Sequence, residues 1–348
     1  MLQIAQQASQ SGSQSTGRQT FRIPLSGTRS VAGESNSNHE APLRANCSTR
    51  LCFQDRRKSL RGDLSFRYYH ARCFYTAGAL VSVAVLCNLS DGLIIGVDSA
   101  VTVSDANGIR KVFEEGEKLF QLSDKIGVAT YGLGGLEGRS IGSFIHEFEL
   151  ANQEVDNLPI DEVVERLRAF FLTVYIRFAE QIFGTPFDQI PPEQKGTLGL
   201  IVGGFSPHAF LSEAWEIQIP IHSQPGSARQ ICGPGSFLVA WFATYDPIER
   251  YLLGFDRGLM VELSTFIEGL LGRALTQEEI NAFAPIREKY GYRIMLDSMP
   301  IQAGIEYVRF LVQLVIQHYR FTSPHPVVGG RAKLGVVTYK EENFRILE

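Results

Sequence analysis

Four residues in one 51-residue stretch, Ser82, Asp98, Lys118 and Gly132, could together support nucleophilic catalysis. A serine hydroxyl is a weak nucleophile and needs a base. At the first residue of a chain the α-amine can serve, because its ordinary pKa of about 7.7–8 lies near neutral pH. A nearby lysine would disfavour protonation of that amine, and an aspartate would hold the lysine in place. A glycine N–H can approach a developing oxyanion with no side chain in the way.

Each of these residues also has an ordinary structural interpretation. Ser82 could be a polar residue on an outward strand face, and Asp98 could cap the turn that follows its strand. Lys118 could be a solvated strand residue, and Gly132 could belong to a plain loop, because GLGGLEG lacks the G-x-G-x-x-G spacing of a phosphate-binding loop. Only the order and spacing of the four residues together favour catalysis.

The elements that must position these residues are predicted to be two hairpins. Strands at 82–89 and 93–99 flank Asp91-Gly92, a dipeptide typical of a tight hairpin turn. A second hairpin is predicted from the apolar runs 118–122 and 126–131. The apolar run 74–89 is shorter than the roughly 18–20 residues that span a membrane, so no membrane anchor is predicted.

The remaining chain alternates paired helices with further strands. Helices are predicted from GLGGLEG to about residue 152 and over 161–183, where apolar residues recur every three or four positions. The helix at 301–319 is apolar nearly all round and is expected to be buried between layers. Hairpin-joined strands with grouped helices predict an α+β fold of antiparallel sheets. The other predicted segments are strands at 197–205, 213–219 and 333–339, an apolar run at 236–243, and helices near 257–271 and 276–290.

The segments SVAVLCNLSDGLIIGVDSAVT and EKLFQLSDKIGVATYGLGG resemble the opening of proteasome β-subunits and related N-terminal-nucleophile (Ntn) hydrolases. This resemblance implies a four-layer αββα sandwich. It places Ser82 where the family has its N-terminal nucleophile, normally threonine. Asp98 falls on the buried active-site aspartate, Lys118 on the active-site lysine, and Gly132 on the glycine whose N–H forms the oxyanion hole. The C-terminal VVGGRAKLGVVT is similar to the entry of the family's last strand.

The resemblance implies a hydrolase of peptide or other amide bonds. Such enzymes work in protein catabolism within ring-like homo-oligomers, on peptides or unfolded proteins, and some have an ATPase regulator. The alternatives are a non-catalytic proteasome-like subunit and a small-molecule amidohydrolase. Three departures from the family pattern bear on the choice. The family arginine is Ala100, the acidic residue expected near 323–326 is missing, and Lys118 lies about four residues late, which predicts a longer loop over 103–116.

The charge distribution divides the chain near residue 80, although the whole chain carries only −4. Residues 1–80 hold eleven basic against four acidic residues, and residues 81–348 hold 22 basic against 33 acidic residues. The acidic balance of the second part argues against nucleic acid as a partner. The five cysteines form no C-x-x-C pair, so no zinc site is predicted, and no other metal or cofactor is expected. Their odd number favours a reducing, cytoplasmic compartment over secretion.

Residues 1–80 are interpreted as a disordered basic leader ahead of a folded domain at 81–348. The leader could be a propeptide, an organelle transit segment or the product of an over-extended reading frame. A start at Val81, which GTG can encode, followed by removal of the initiator methionine would expose Ser82. The alternative route to an N-terminal Ser82 is self-cleavage of the Val81–Ser82 bond.

Overall fold

A computed structural model describes residues 82–105, 108–220, 226–292, 294–323, 328–340 and 343–348. The predicted leader at 1–80 lies outside these described residues. The described chain mixes helices with antiparallel sheets, which confirms the predicted α+β class. Within this part of the chain, no helix combines the length and the apolar character that a membrane span requires.

The secondary-structure elements are numbered in chain order. The strands are β1 Val83–Leu89, β2 Gly92–Asp98, β3 Val101–Asp105, β4 Gly108–Phe113, β5 Leu119–Gln121, β6 Ile126–Gly132, β7 Gly135–Leu136, β8 Arg139–Ser140, β9 Leu198–Gly204, β10 Glu213–Ile219, β11 Ser227–Cys232, β12 Leu238–Ala243, β13 Ala332–Thr338 and β14 Arg345–Leu347. The helices are α1 Ile141–Ala151, α2 Ile160–Phe183, α3 Asp246–Leu253, α4 Arg257–Leu271, α5 Gln277–Asn281, α6 Ala284–Tyr290 and α7 Ile301–Thr322.

Two five-stranded antiparallel sheets form the centre of the fold. The first sheet has the strand order β12-β1-β2-β13-β14, and the second has the order β11-β10-β9-β6-β5. Both predicted hairpins are confirmed, as β1–β2 in the first sheet and β5–β6 in the second. The tight turn after β1 brings Leu89 opposite Gly92, as the Asp91-Gly92 dipeptide predicts.

Three clusters of buried apolar side chains pack against these sheets. One cluster joins residues of both sheets, such as Leu86 and Ile95 from the first and Ile201 from the second. A second cluster packs the first sheet against α3 and α7, and a third packs the second sheet against α1 and α2. Each sheet therefore contributes to the shared cluster and to one helix-facing cluster, which buries both of its faces.

Some predicted segments differ from the structure. The loop expected over 103–116 largely forms a hairpin of β3 and β4, with Val101 opposite Phe113. GLGGLEG forms the short strand β7 and its turn, so α1 begins only at Ile141, capped by the Ser140 side chain. The expectation that the helix at 301–319 is buried between layers is wrong, because α7 buries only one face and leaves Phe310 41% exposed. Strands β11 and β14 and helix α3 were not predicted.

Candidate active site

Ser82 lies immediately before β1, at the end of the first sheet where β2 finishes. Its carbonyl oxygen accepts a hydrogen bond of 2.9 Å from the Thr244 N–H, just after β12. The pairing of Val83 with Ala243 continues this contact into the sheet. Ser82 is only 2% exposed. Because its backbone is held by the neighbouring strand, the hydroxyl has a defined position beside the end of β2.

Asp98, the last residue of β2, is fully buried and accepts four hydrogen bonds. Its Oδ1 accepts from the Val83 N–H at 3.0 Å and from the Lys118 ammonium at 2.9 Å. Its Oδ2 accepts from the Ala100 N–H at 3.3 Å and the Gly329 N–H at 3.2 Å. Both carboxylate oxygens are thus satisfied, as a buried charge requires. Asp98 therefore joins β1, the segment after β2, and the chain that enters β13.

Lys118 connects the carboxylate to the serine. Its Nζ lies 2.9 Å from Ser82 Oγ and 2.9 Å from Asp98 Oδ1, and the residue is 7% exposed. The Thr130 N–H donates to the Lys118 carbonyl at 2.8 Å, which holds this position against β6. The solvated-lysine interpretation is therefore wrong. A buried ammonium that donates to a hydroxyl oxygen favours the ionised form of that oxygen, and so a nucleophilic serine.

Gly132, the fourth predicted residue, ends β6 and pairs with Leu198 of β9. Its φ of +84° lies in the left-handed region that favours glycine. It follows Thr130, the residue hydrogen-bonded to Lys118, by two positions. The next residue, Leu133, donates its N–H to the Thr197 carbonyl at 2.9 Å. The end of β6 is thus held from both sides beside the lysine.

Ser99 is a buried residue of this region that the sequence analysis did not single out. Its Oγ donates to the Glu114 carbonyl and accepts from the Arg331 N–H at 2.8 Å. Its own carbonyl accepts from the Gly116 N–H at 2.6 Å. The available sequence signal is a small hydroxyl residue directly after the aspartate that ends a predicted strand.

Ala100 stands where the family resemblance expects arginine, and it is fully buried. Its N–H lies within hydrogen-bonding distance of both Asp98 Oδ2, at 3.3 Å, and the Gly329 carbonyl, at 3.2 Å. The backbone at this position therefore contributes to holding the aspartate. Most of the 323–326 segment, where the family acid is expected, lies outside the described residues.

A second polar cluster starts at Tyr131, the residue before Gly132, and two of its three members, Tyr131 and Glu216, are buried while Arg229 is 65% exposed. The Tyr131 hydroxyl donates to Glu216, whose other oxygen accepts from Arg229. The Tyr131 ring stacks on Phe242, with 6.1 Å between ring centroids. Burial, together with the neighbouring Glu216, raises the pKa of Tyr131, so its hydroxyl stays protonated as a donor. This cluster links β6 to β10, β11 and β12.

Among the described residues, no group of three or more His, Cys, Asp or Glu side chains could hold a metal ion. No protein-family model matches the chain, and no curated protein matches it in sequence. Function is therefore inferred from the geometry of Ser82, Lys118 and Asp98. The structure brings these three predicted residues into one hydrogen-bonded chain, although 36 positions separate the first from the last.

Proposed function

We propose that this protein is a hydrolase of amide bonds in which Ser82, as the first residue of the mature chain, is the nucleophile. The observation that carries the proposal is the buried chain of hydrogen bonds from Asp98 through Lys118 to the Ser82 hydroxyl. Chance surface placement does not account for it, because all three residues are at most 7% exposed. A desolvated lysine beside a serine is costly to bury unless it is paired, and here it is paired on both sides.

We further propose that the fold is a four-layer αββα sandwich of the Ntn-hydrolase type. Two antiparallel sheets share one apolar cluster, and each also packs against its own helices. The site lies where β1 begins and β2 ends, next to the start of β5. This arrangement agrees with the family resemblance in the opening segments of the chain.

The reaction would proceed in two steps, formation of an ester to Ser82 and hydrolysis of that ester. The Ser82 amine takes the hydroxyl proton as Oγ attacks the substrate carbonyl carbon, and the Gly132 N–H stabilises the resulting oxyanion. The amine then gives its proton to the leaving nitrogen, the C–N bond breaks, and an ester to Ser82 remains. Water, deprotonated by the same amine, attacks the ester, and the carboxylic acid leaves as the Ser82 hydroxyl is restored. Lys118 stabilises negative charge on Oγ during both steps.

The direct test uses the full chain with a protease site engineered so that cleavage leaves Ser82 as the first residue. Ser82→Ala should abolish hydrolysis of peptide amides, and Ser82→Thr should retain it. Ser90→Ala, at the opposite end of the same hairpin, should leave turnover unchanged. A β-lactone probe should add its mass to the Ser82 peptide alone. Hydrolysis by the alanine variant equal to that of the parent would contradict the proposal.

Sequencing the N-terminus of the natural protein separates the catalytic proposal from the non-catalytic alternative. A chain that begins at Ser82 supports the enzyme, because only then is the α-amine available as base. A chain that keeps residues ahead of Ser82 supports a proteasome-like structural or binding subunit. Ala100 is the observation that favours this alternative, because the family arginine is absent there. Comparing turnover of peptides with that of small amides then tests the amidohydrolase alternative.

We propose that the protein assembles as a ring-like homo-oligomer that acts on peptides or unfolded proteins. Besides the family resemblance, α4 supports assembly, because it buries no side chain and exposes Leu259, Phe266 and Leu270 by 48%, 64% and 72%. Exposed apolar surface of this kind is typical of interaction sites. Sedimentation velocity of the full chain should give a mass several times that of the monomer, and a monomer at all concentrations would contradict assembly.

A further inference from the structure

We propose that Ser99 is a positioning residue: its buried hydroxyl fixes the segment that leads into Lys118 against the end of β2, and so sets the contact between Lys118 and Ser82. This inference rests on the proposed function, since it concerns the same site. We assign Ser99 a role only through the chain segments that its hydroxyl and carbonyl hold together.

The hydroxyl of Ser99 is shared between two segments that are far apart in sequence. It donates to the carbonyl of Glu114 and accepts from the N–H of Arg331 at 2.8 Å. The Ser99 carbonyl accepts from the Gly116 N–H at 2.6 Å, so the segment 114–116 is held by both the hydroxyl and the carbonyl of Ser99. Ser99 is 1% exposed, so water cannot readily replace these bonds.

Both segments bear directly on the charged pair. Glu114 and Gly116 precede Lys118 by four and two positions, so their attachment limits where the lysine side chain begins. On the other side, Gly329 lies two positions before Arg331 and donates its N–H to Asp98 Oδ2 at 3.2 Å. One of the two segments that Ser99 joins therefore continues to Lys118, and the other donates a hydrogen bond to Asp98.

The packing around Ser99 leaves little freedom for an alternative arrangement. Gly330 has a φ of +69°, and a Cβ at this position would overlap both the Glu114 carbonyl and Ser99 Oγ. The chain can pass this closely only because residue 330 is glycine. Loss of the Ser99 hydroxyl would leave the Glu114 carbonyl and the Arg331 N–H without their described partner, and the segment before Lys118 would loosen.

The charged groups around Ser82 determine how its α-amine should respond when Ser99 is replaced. Asp98 on β2 and Lys118 before β5 face the serine, while β12 brings the uncharged Thr244. Arg331 and its partner Glu115, 3.7 Å apart, are 73% and 77% exposed and contribute little. If Lys118 moves away from Ser82, the α-amine loses a neighbouring positive charge. It then holds its proton up to a higher pH.

The experiment compares Ser99→Ala, Ser99→Cys and Ser99→Thr in the full chain, each cleaved after folding at the engineered site before Ser82. Competitive acetylation of the Ser82 α-amine across pH, read by mass spectrometry, gives the titration midpoint of that amine without any need for turnover. Alanine should raise the midpoint by about one pH unit, a tenfold loss of free amine below it. Threonine, which keeps the hydroxyl but adds a methyl group, should lie closer to the parent than alanine does. Cysteine, a weak donor of similar size, should lie between them and replaces alanine if that variant does not fold.

The acid limb of the pH profile of kcat/KM should move with the amine midpoint. Active sites counted with the β-lactone probe normalise this profile. Equal midpoints in all variants would overturn the positioning role of Ser99, even if alanine lowers the yield of folded protein. A shifted midpoint in a protein that hydrolyses no amide would retain the positioning role and overturn the proposed function. Ser90→Ala, as the matched control, should change neither the midpoint nor the acid limb.

Discussion

Two ion pairs of nearly equal length lie in very different surroundings. Asp98 and Lys118 are 2.9 Å apart, with side chains 0% and 8% exposed. Arg273 and Glu279 are 2.7 Å apart, with side chains 50% and 37% exposed. Exposed pairs contribute about 0–1 kcal/mol, whereas breaking a buried pair costs roughly 3–5 kcal/mol because one charge is left unpaired. The contact distance therefore does not determine how much each pair contributes to stability. That contribution depends on how far solvent surrounds the pair.

The two pairs also differ in the chain that they connect. Arg273 and Glu279 are six residues apart, and Thr276 with Glu279 forms a capping box that starts α5. Asp98 and Lys118 are twenty residues apart and join strands of different sheets. The surface pair supports one helix end, while the buried pair depends on the packing of the whole domain.

The largest expected effect is that of Lys118→Met, which leaves the Asp98 carboxylate buried without its cation. We expect a loss of roughly 3–5 kcal/mol in the free energy of unfolding and no measurable hydrolysis. Urea unfolding and turnover of a peptide amide measure the two effects. Lys125→Met, in the turn of the same hairpin, is the control and should cost far less. Equal effects of the two substitutions would contradict a role for Lys118 in the proposed active site.

The coupling between the two charges is expected to be smaller but diagnostic. Asp98→Asn combined with Lys118→Met should be less destabilised than the sum of the single variants, with a coupling of about 0.5–3 kcal/mol. The reason is that the second substitution removes the charge stranded by the first. Urea unfolding of all four proteins measures the cycle. Additivity within about 0.5 kcal/mol would show that the two residues are independent.

A pair of glycines extends the comparison to the backbone. Gly330 and Gly272 have φ values of +69° and +67°, but a Cβ would meet Glu114 and Ser99 at the first and nothing within 4 Å at the second. Gly272→Ala should cost about 1–2 kcal/mol from the left-handed backbone alone. Gly330→Ala should cost more, since the backbone must also shift beside Asp98. Similar melting temperatures for the two variants would contradict the close packing at the site.

The smallest effect is expected for Glu279→Gln. Hydrogen bonds from Arg273 and Thr276 lower the pKa of Glu279 from its ordinary value of 4.5 to about 2. A lowered folded-state pKa gives a stability contribution that is present above about pH 4.5 and is lost as the pH falls toward 2. Because the pair is exposed, glutamine should leave the melting temperature at pH 7 almost unchanged. A drop comparable to that of Lys118→Met would remove the contrast between the two pairs.

Local patterns in the sequence predict the first secondary-structure elements and the candidate site residues. Alternating apolar residues and the Asp91-Gly92 turn predicted the first hairpin, because strand periodicity and turn chemistry are local properties. The resemblance of the opening segments to Ntn hydrolases pointed to Ser82, Asp98 and Lys118, the three residues that the structure joins. Local patterns are weaker for β3 and β4, where the sequence predicts a loop despite Asn107-Gly108, and the structure forms a hairpin.

Which of these residues are buried, and what they contact, follows from how the sheets and helices pack. From the sequence alone Lys118 is interpreted as a solvated strand residue, but in the folded protein it is only 7% exposed. The contact of Ser99 with Arg331 joins positions 232 residues apart, which no periodicity encodes. In α7 the apolar pattern continued around the helix, yet one side remained exposed, because the adjacent sheet covers only one face. Burial depends on which elements pack together, and that is a property of the whole chain rather than of any segment.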